Sequence, residues 1–288
     1  MSSGARLVKY WIMAGFLAVE QLVPVAQACE ALGFAGVMLP DHLFFPEDFS
    51  SKYPYSADGE IMWPADAPWP DCWVAIAAMA QATTTLQFST GVYIAPLREV
   101  FSLAKSVGTA AAFSGGRLSC GFGAGWLEEE FTAVGQPFAT RGARFDEMVQ
   151  VLRLLWTGEM AEFHGAHIDF PPVRMLPAAP NVPILIGGNT RPALRRAARN
   201  DGWIATFTDI DDVARMLGEL HSYRDDGPLA ERPLTVQVVG SPKIARDAEA
   251  LAALGVESVV VPGVALGTDS STAAVVAGLE QFAERWMR

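Results

Sequence analysis

Two short stretches of this chain carry residue types that could do chemistry. In the first, an apolar run ends in Pro40, Asp41 and His42, which puts a carboxylate and an imidazole side by side at a strand end. An imidazole changes charge near neutral pH and can hold or relay a proton. In the second, Ile184, Leu185 and Ile186 lead into Gly187, Gly188, Asn189 and Thr190, with Pro192 close behind and Arg195, Arg196 and Arg199 in the helix that follows. The apolar run reads as a strand covered on both faces. The two glycines let a ligand approach the backbone, and Asn189 or Thr190 can cap the helix. Free N–H groups at such a helix start favour an anion such as phosphate. The plainer readings are a packed strand end at His42, an ordinary strand-to-helix turn at Gly187, and a solvated helix face for the arginines.

Other chemistries find little support. No nucleophile stands at motif spacing from a base, and the GxSxG elbow is absent. HExxH is absent too. His164 and His167 lie in a hairpin-like stretch that would point them to opposite faces, so no metal site is expected. Cys29, Cys72 and Cys120 show no CxxC spacing and read as packing residues with free thiols, in a reducing compartment. A net charge of −11 argues against nucleic acid and anionic membrane surfaces as partners. No apolar run approaches the ~20 residues that cross a bilayer, and residues 1–6 do not lead into a secretory leader. The expectation is a cytoplasmic protein acting on a small molecule. Many glycine turns with little acid–base equipment point to a cofactor that carries the reaction.

The elements that must position these residues alternate in a simple way. Strands are predicted at 7–13, 35–39, 86–90, 117–122, 184–186, 203–206, 234–239 and 258–261. Helices are predicted at 18–32, after a cap at Asp71, and at 100–113, 143–156, 193–200, 211–224, 245–254 and 273–286. A small hairpin is expected at 163–170, turning at Gly165 and Ala166. Eight strand–helix alternations fit one α/β domain over residues 1–288, a (β/α)8 TIM barrel. The rival is a doubly wound open sheet, whose GxGxxG after the first strand is missing. One long excursion interrupts the pattern after strand 2: residues 43–70, rich in proline and aromatics. A loop of that length in a compact domain is usually functional.

Taken in order, several segments resemble the luciferase-like flavin and deazaflavin enzymes. They are Gly33-Phe-Ala-Gly-Val-Met-Leu-Pro-Asp-His42, Pro68-Trp-Pro-Asp71, Thr90-Gly-Val92, Phe113-Ser-Gly-Gly-Arg117, Gly121-Phe-Gly-Ala-Gly-Trp126, Arg141-Gly-Ala-Arg144, Leu155-Trp-Thr-Gly158 and Ile186-Gly-Gly-Asn189. The likeness runs colinearly over about 7–206 and is closest to the branch of F420-dependent oxidoreductases. It implies a TIM barrel that binds coenzyme F420, or FMN, across its C-terminal mouth. By that resemblance Gly187, Gly188 and Asn189 hold the cofactor phosphate, with Thr190 as a hydroxyl donor. Gly91-Val92 matches a non-proline cis peptide behind the cofactor ring. Asp41 and His42 match a pair beside the ring, which makes His42 the candidate proton relay. Gly123, Ala124 and Trp126 would line the same mouth.

The chain departs from the sugar-phosphate-oxidising relatives at Ala124, where they carry a glutamate; Glu128 or Glu129 is a substitute, or the acidic run only stabilises a helix dipole. The aromatic loop at 43–70 reads as a lid or substrate wall, or as a dimer contact. Three functions follow. The first is hydride transfer between the deazaflavin of F420 and a small organic substrate. The second is an FMN-dependent monooxygenase fed by a flavin reductase. The third, from another class, is a non-catalytic protein that binds such a cofactor. A homodimer is the expected assembly.

Overall fold

The computed structural model describes residues 8–225, 227, 229–269 and 271–287. Leu7, at the start of the first expected strand, and the leader-free start expected at 1–6 lie outside the described residues. The elements in chain order are β1 (Lys9–Met13), α1 (Val19–Leu32), β2 (Gly36–Leu39), α2 (Cys72–Gln81), β3 (Gln87–Thr90), β4 (Tyr93–Ile94), α3 (Val100–Ser114), β5 (Cys120–Gly123), α4 (Glu128–Ala133), α5 (Arg141–Leu155), β6 (Met160–His164), β7 (Asp169–Arg174), β8 (Ile184–Gly187), α6 (Arg191–Ala198), β9 (Gly202–Thr206), α7 (Ile210–Asp225), β10 (Thr235–Val239), α8 (Ala248–Ala253), β11 (Ser258–Pro262) and α9 (Thr272–Trp286).

The strands form one parallel sheet in the order β3-β2-β1-β11-β10-β9-β8-β5-β4, with β6 and β7 apart as an antiparallel hairpin. The ring closes where Phe88 of β3 bridges Leu118, through Phe88 N–H to Arg117 O at 2.8 Å and Ser119 N–H to Phe88 O at 2.9 Å. The short β4, not among the expected strands, continues past the Gly91–Val92 turn and pairs with β5 (Tyr93 opposite Phe122). The result is the expected TIM barrel.

The period-2 logic of a strand explains the two cores. Trp11, Met13, Met38, Leu185, Ile204, Val239 and Val260 point inward and fill the barrel. Their neighbours Tyr10, Ile12, Val37, Ile184, Trp203 and Val259 point outward, against the helices. Gly36 is small because the inward Trp11 ring fills the space: a Cβ there would stand 2.5 Å from it. Local signals bound the helices. Asp71 Oδ1 accepts from the Trp73 and Val74 N–H groups at 3.0 and 2.9 Å, and Gly33 stops α1 in the left-handed region at φ 84.

Some boundaries differ. The hairpin extends outward to Met160 and Arg174, and the helix expected at 245–254 is a 3-10 turn, Pro242–Asp247, followed by the shorter α8. Pro242 pre-sets the first turn three residues early. Among the described residues no helix is long and apolar enough to cross a membrane.

Candidate active site

The strand ends converge on one cavity of about 880 Å³, within the range of sites that hold cofactors. Met13, Ile94, Gly123, Thr206, Val239 and Pro262, each the last residue of its strand, all line it, so it is the C-terminal mouth of the barrel. The ten residues singled out in the sequence line it too: Asp41, His42, Gly91, Val92, Gly123, Ala124, Gly187, Gly188, Asn189 and Thr190. They do not all offer it a free polar group.

The Asp41 carboxylate is engaged at both oxygens. Oδ1 accepts from Arg98 Nη2 at 2.7 Å and Oδ2 accepts from the Ile94 N–H at 2.9 Å. Burial pushes this carboxyl up, against the opposing pull of Arg98 and the Ile94 N–H. Its work is to clamp the loop after β2 to the start of the turn before α3. Asn189 is likewise occupied: its Nδ2 donates to Thr206 O at 2.7 Å and its Oδ1 accepts from Thr206 N–H at 3.1 Å. The Gly188 N–H donates to Ile204 O at 3.2 Å.

Val92 explains two of the glycines. The Gly91–Val92 peptide is cis, and the Val92 side chain fills the floor. A Cβ on Gly187 would stand 2.1 Å from Val92 Cγ1, and one on Gly123 would stand 2.5 Å from Val92 Cγ2. Gly188 has a different reason, a φ of 117 that side chains rarely adopt.

His42 is held by a residue that the sequence reading passed over. Its Nδ1 lies 3.2 Å from Glu130 Oε2, and Glu130 Oε1 accepts from the Leu43 N–H at 2.6 Å. The two side chains are 8% and 2% exposed. Among the described residues, Nε2 of His42 has no hydrogen-bond partner, and the ring lines the cavity. Consecutive helical residues point about 100° apart, so three adjacent glutamates have three fates. Glu128 is exposed, Glu129 takes the lid, and Glu130 turns inward. An acidic triplet at a helix start looks like dipole stabilisation until the fold says which member is buried.

The 43–70 loop is a wall over this mouth. Glu129 anchors it, accepting from Ser50 N–H at 2.6 Å and Ser51 Oγ at 2.7 Å. Burial alone would raise the Glu129 carboxyl, but the bonds from Ser50 and Ser51 outweigh it and hold it at about 2. Trp63 and Trp69 pack on each other with centroids 5.3 Å apart, and Tyr53 meets Trp126 at 5.3 Å. Two aromatics from other loops close against them: Phe16 on Trp69 at 5.3 Å and Phe207 on Tyr55 at 6.4 Å. Phe16 and Phe207 both have left-handed backbone, φ 64 and 44, a conformation that costs a non-glycine residue of order 1–3 kcal/mol. Neither was marked in the sequence.

The lining also carries two arginines and a helix start. Thr190 precedes α6 with extended backbone and makes no side-chain cap bond. Arg141 and Arg196 line the wall beside it. Arg196 is bound by Asp146, Nε to Oδ1 at 2.9 Å, whereas among the described residues Arg141 donates only to the carbonyls of Gly125 and Phe138. Burial, with Arg196 nearby, pulls the Arg141 guanidinium down. Arg195 and Arg199 face elsewhere, over the Tyr223 ring and toward Asp146. The signal for Arg141 was present in the Arg141-Gly-Ala-Arg144 motif, without an indication of which arginine faces in.

Among the described residues no group of three or more His, Cys, Asp or Glu is arranged to hold a metal ion. His164 instead pairs with Asp169 across the hairpin, Nδ1 to Oδ1 at 2.6 Å. The three cysteines are buried and free.

The chain is similar to several known proteins. The chain is 38% identical over 205 residues to an uncharacterised protein of Mycobacterium tuberculosis (strain ATCC 25618 / H37Rv), covering 71% of each chain. It is 30% identical over 236 residues to the F420-dependent hydroxymycolic acid dehydrogenase of the same organism, covering 78% of this chain and 61% of that one. In fold it resembles the crystal structure of the monooxygenase RslO1 from Streptomyces bottropensis, with a TM-score of 0.77, 19% identity, and 97% and 99% of the two chains covered. The sequence pattern of the luciferase-like monooxygenases matches residues 9–275, and the chain belongs to that family.

Proposed function

We propose that this protein is an F420-dependent oxidoreductase that moves a hydride between the deazaflavin ring and a small organic substrate. The observation that carries the reading is the set of polar groups that line one cavity. Its lining holds a half-free imidazole, an uncapped helix start and a guanidinium that has no carboxylate partner among the described residues. That donor set fits a cofactor with a planar ring and a phosphate arm. The 30% identity to an F420-dependent dehydrogenase supports the choice of deazaflavin.

When bound, the deazaflavin supplies two-electron hydride chemistry, and the protein supplies orientation, exclusion of water and a proton position. Thr190, the first N–H groups of α6 and Arg141 hold the phosphate. Gly187 and Gly188 keep the backbone low there, and Asn189 holds the turn in shape. Val92, seated between Gly123 and Gly187, supports the ring from behind, with Ala124 beside it. His42 holds or takes a proton at the reacting edge. The lid aromatics exclude water around the hydride path.

FMN is the second reading, supported by the FMNH2-dependent dimethylsulfone monooxygenase of Pseudomonas putida, 28% identical over 153 residues. With FMN, a flavin reductase would be the partner. Titration of the protein with each cofactor, followed by quenching of tryptophan fluorescence, separates the two. Tight F420 binding with weak FMN binding is expected. Tighter FMN binding moves the assignment to a flavin monooxygenase, and binding of neither ends both.

A further inference from the structure

We infer that Glu130 is a positioning residue that fixes the tautomer of His42, so that Nε2 meets the cavity as a hydrogen-bond acceptor. The inference deepens the proposed reading, since it names what prepares His42 for its ligand. It stands on geometry that exists without any cofactor.

A carboxylate accepts hydrogen bonds and cannot donate them. Glu130 Oε2 faces His42 Nδ1 at 3.2 Å, so the neutral ring carries its proton on Nδ1 and its lone pair on Nε2. Turning the ring over would put Cδ2, a carbon, against Glu130 Oε2 and lose the bond. Trp63, Trp69 and Trp126 enclose the ring, with centroids at 5.1, 4.9 and 5.7 Å. Glu130 cannot turn away either, because its other oxygen accepts from the Leu43 N–H at 2.6 Å. One buried carboxylate therefore receives two donors from adjacent residues, the Leu43 backbone and the His42 ring. The direction of the His42 bond toward a ligand follows: it receives a proton or hydrogen bond and does not give one.

The isosteric change Glu130→Gln reverses this. The amide oxygen must stay toward the Leu43 N–H, because two N–H groups cannot face each other there. The amide nitrogen then faces Nδ1 and donates, Nδ1 becomes the acceptor, and the ring proton moves to Nε2.

The test is long-range 1H–15N correlation NMR of the cofactor-free, 15N-labelled protein at pH 8.5. There are four histidines, and the His42 signals are assigned by their loss in His42→Gln. The expected result is a protonated Nδ1 and a bare Nε2 in the wild type. A wild-type ring with Nε2 protonated, as the other tautomer or as imidazolium, overturns the inference. Folded Glu130→Gln should invert the two nitrogen signals, and an unchanged pattern overturns the inference as well. Glu129→Gln, which alters lid anchoring one residue away, should leave the tautomer as it was; inversion there would remove Glu130 from the role. None of these readouts depends on which cofactor binds, so the inference and the functional reading can fail separately.

Discussion

Asn189 and Thr206, 17 positions apart, exchange two hydrogen bonds: Asn189 Nδ2 donates to Thr206 O at 2.7 Å, and Thr206 N–H donates to Asn189 Oδ1 at 3.1 Å. The asparagine amide thus imitates a backbone partner and extends the β8–β9 pairing past Gly187, the last residue of β8, to Thr206 at the end of β9. Asn189→Ala leaves both Thr206 groups without a partner. It should lower stability by about 1–3 kcal/mol, read as a lower urea midpoint with an unchanged slope. An unchanged midpoint would return the asparagine side chain to the ligand.

Val92 and Gly187 form a lock of complementary sizes, since a Cβ at 187 would stand 2.1 Å from Val92 Cγ1. Gly187→Ala should destabilise by about 1–3 kcal/mol through overpacking. Adding Val92→Ala should recover part of that loss, so the two changes are non-additive in thermal unfolding. Strict additivity would mean that a ligand, and not Val92, demands the glycine.

Asp41 and Arg98 are a buried pair at 2.7 Å, with side chains 4% and 15% exposed. Removing one charge leaves the other without its counter-charge, although Arg98 still donates to Ile94 O at 3.2 Å. Asp41→Asn should therefore cost about 3–5 kcal/mol, measured by denaturant unfolding. A loss below about 1 kcal/mol would show that Arg98 reaches water and that the clamp is weak.

The lid anchor should be acid-sensitive. The Glu129 carboxyl lies at about 2, below its usual value of 4.5. A depressed carboxyl adds stability that is fully present above the usual value and is lost as pH falls through the folded value. Lid closure should thus weaken between about pH 4.5 and pH 2. The readout is the pH dependence of acrylamide quenching of tryptophan fluorescence, wild type against Glu129→Gln. Quenching should rise in acid in the wild type and be raised already at neutral pH in the variant. Identical profiles would release Glu129 from the lid.

Arg141 is the test of the phosphate end. Arg141→Ala should weaken F420 or FMN binding by roughly 10- to 100-fold, the worth of one charge-assisted bond. Binding of riboflavin, which has the ring without the phosphate, should change little. Equal losses for both ligands would point to a collapsed wall and not to a missing phosphate contact.

Local features of the sequence determined the barrel and the place of its site. Continuous apolar runs of a few residues, a cap at Asp71, a stop at Gly33 and the glycines at strand ends all act within a few residues of themselves. They are legible without knowing what packs where. Which polar atoms remain free was decided only by the tertiary structure. Asp41 meets Arg98 across 57 positions, His42 meets Glu130 across 88, and Asn189 meets Thr206 across 17. Each pairing changed the meaning of a residue that the sequence had marked. The three glutamates at 128–130 are alike in sequence and differ only in the direction the helix turns them. Satisfying a buried polar group is a non-local condition, and a residue's own type and spacing cannot say whether it has been met.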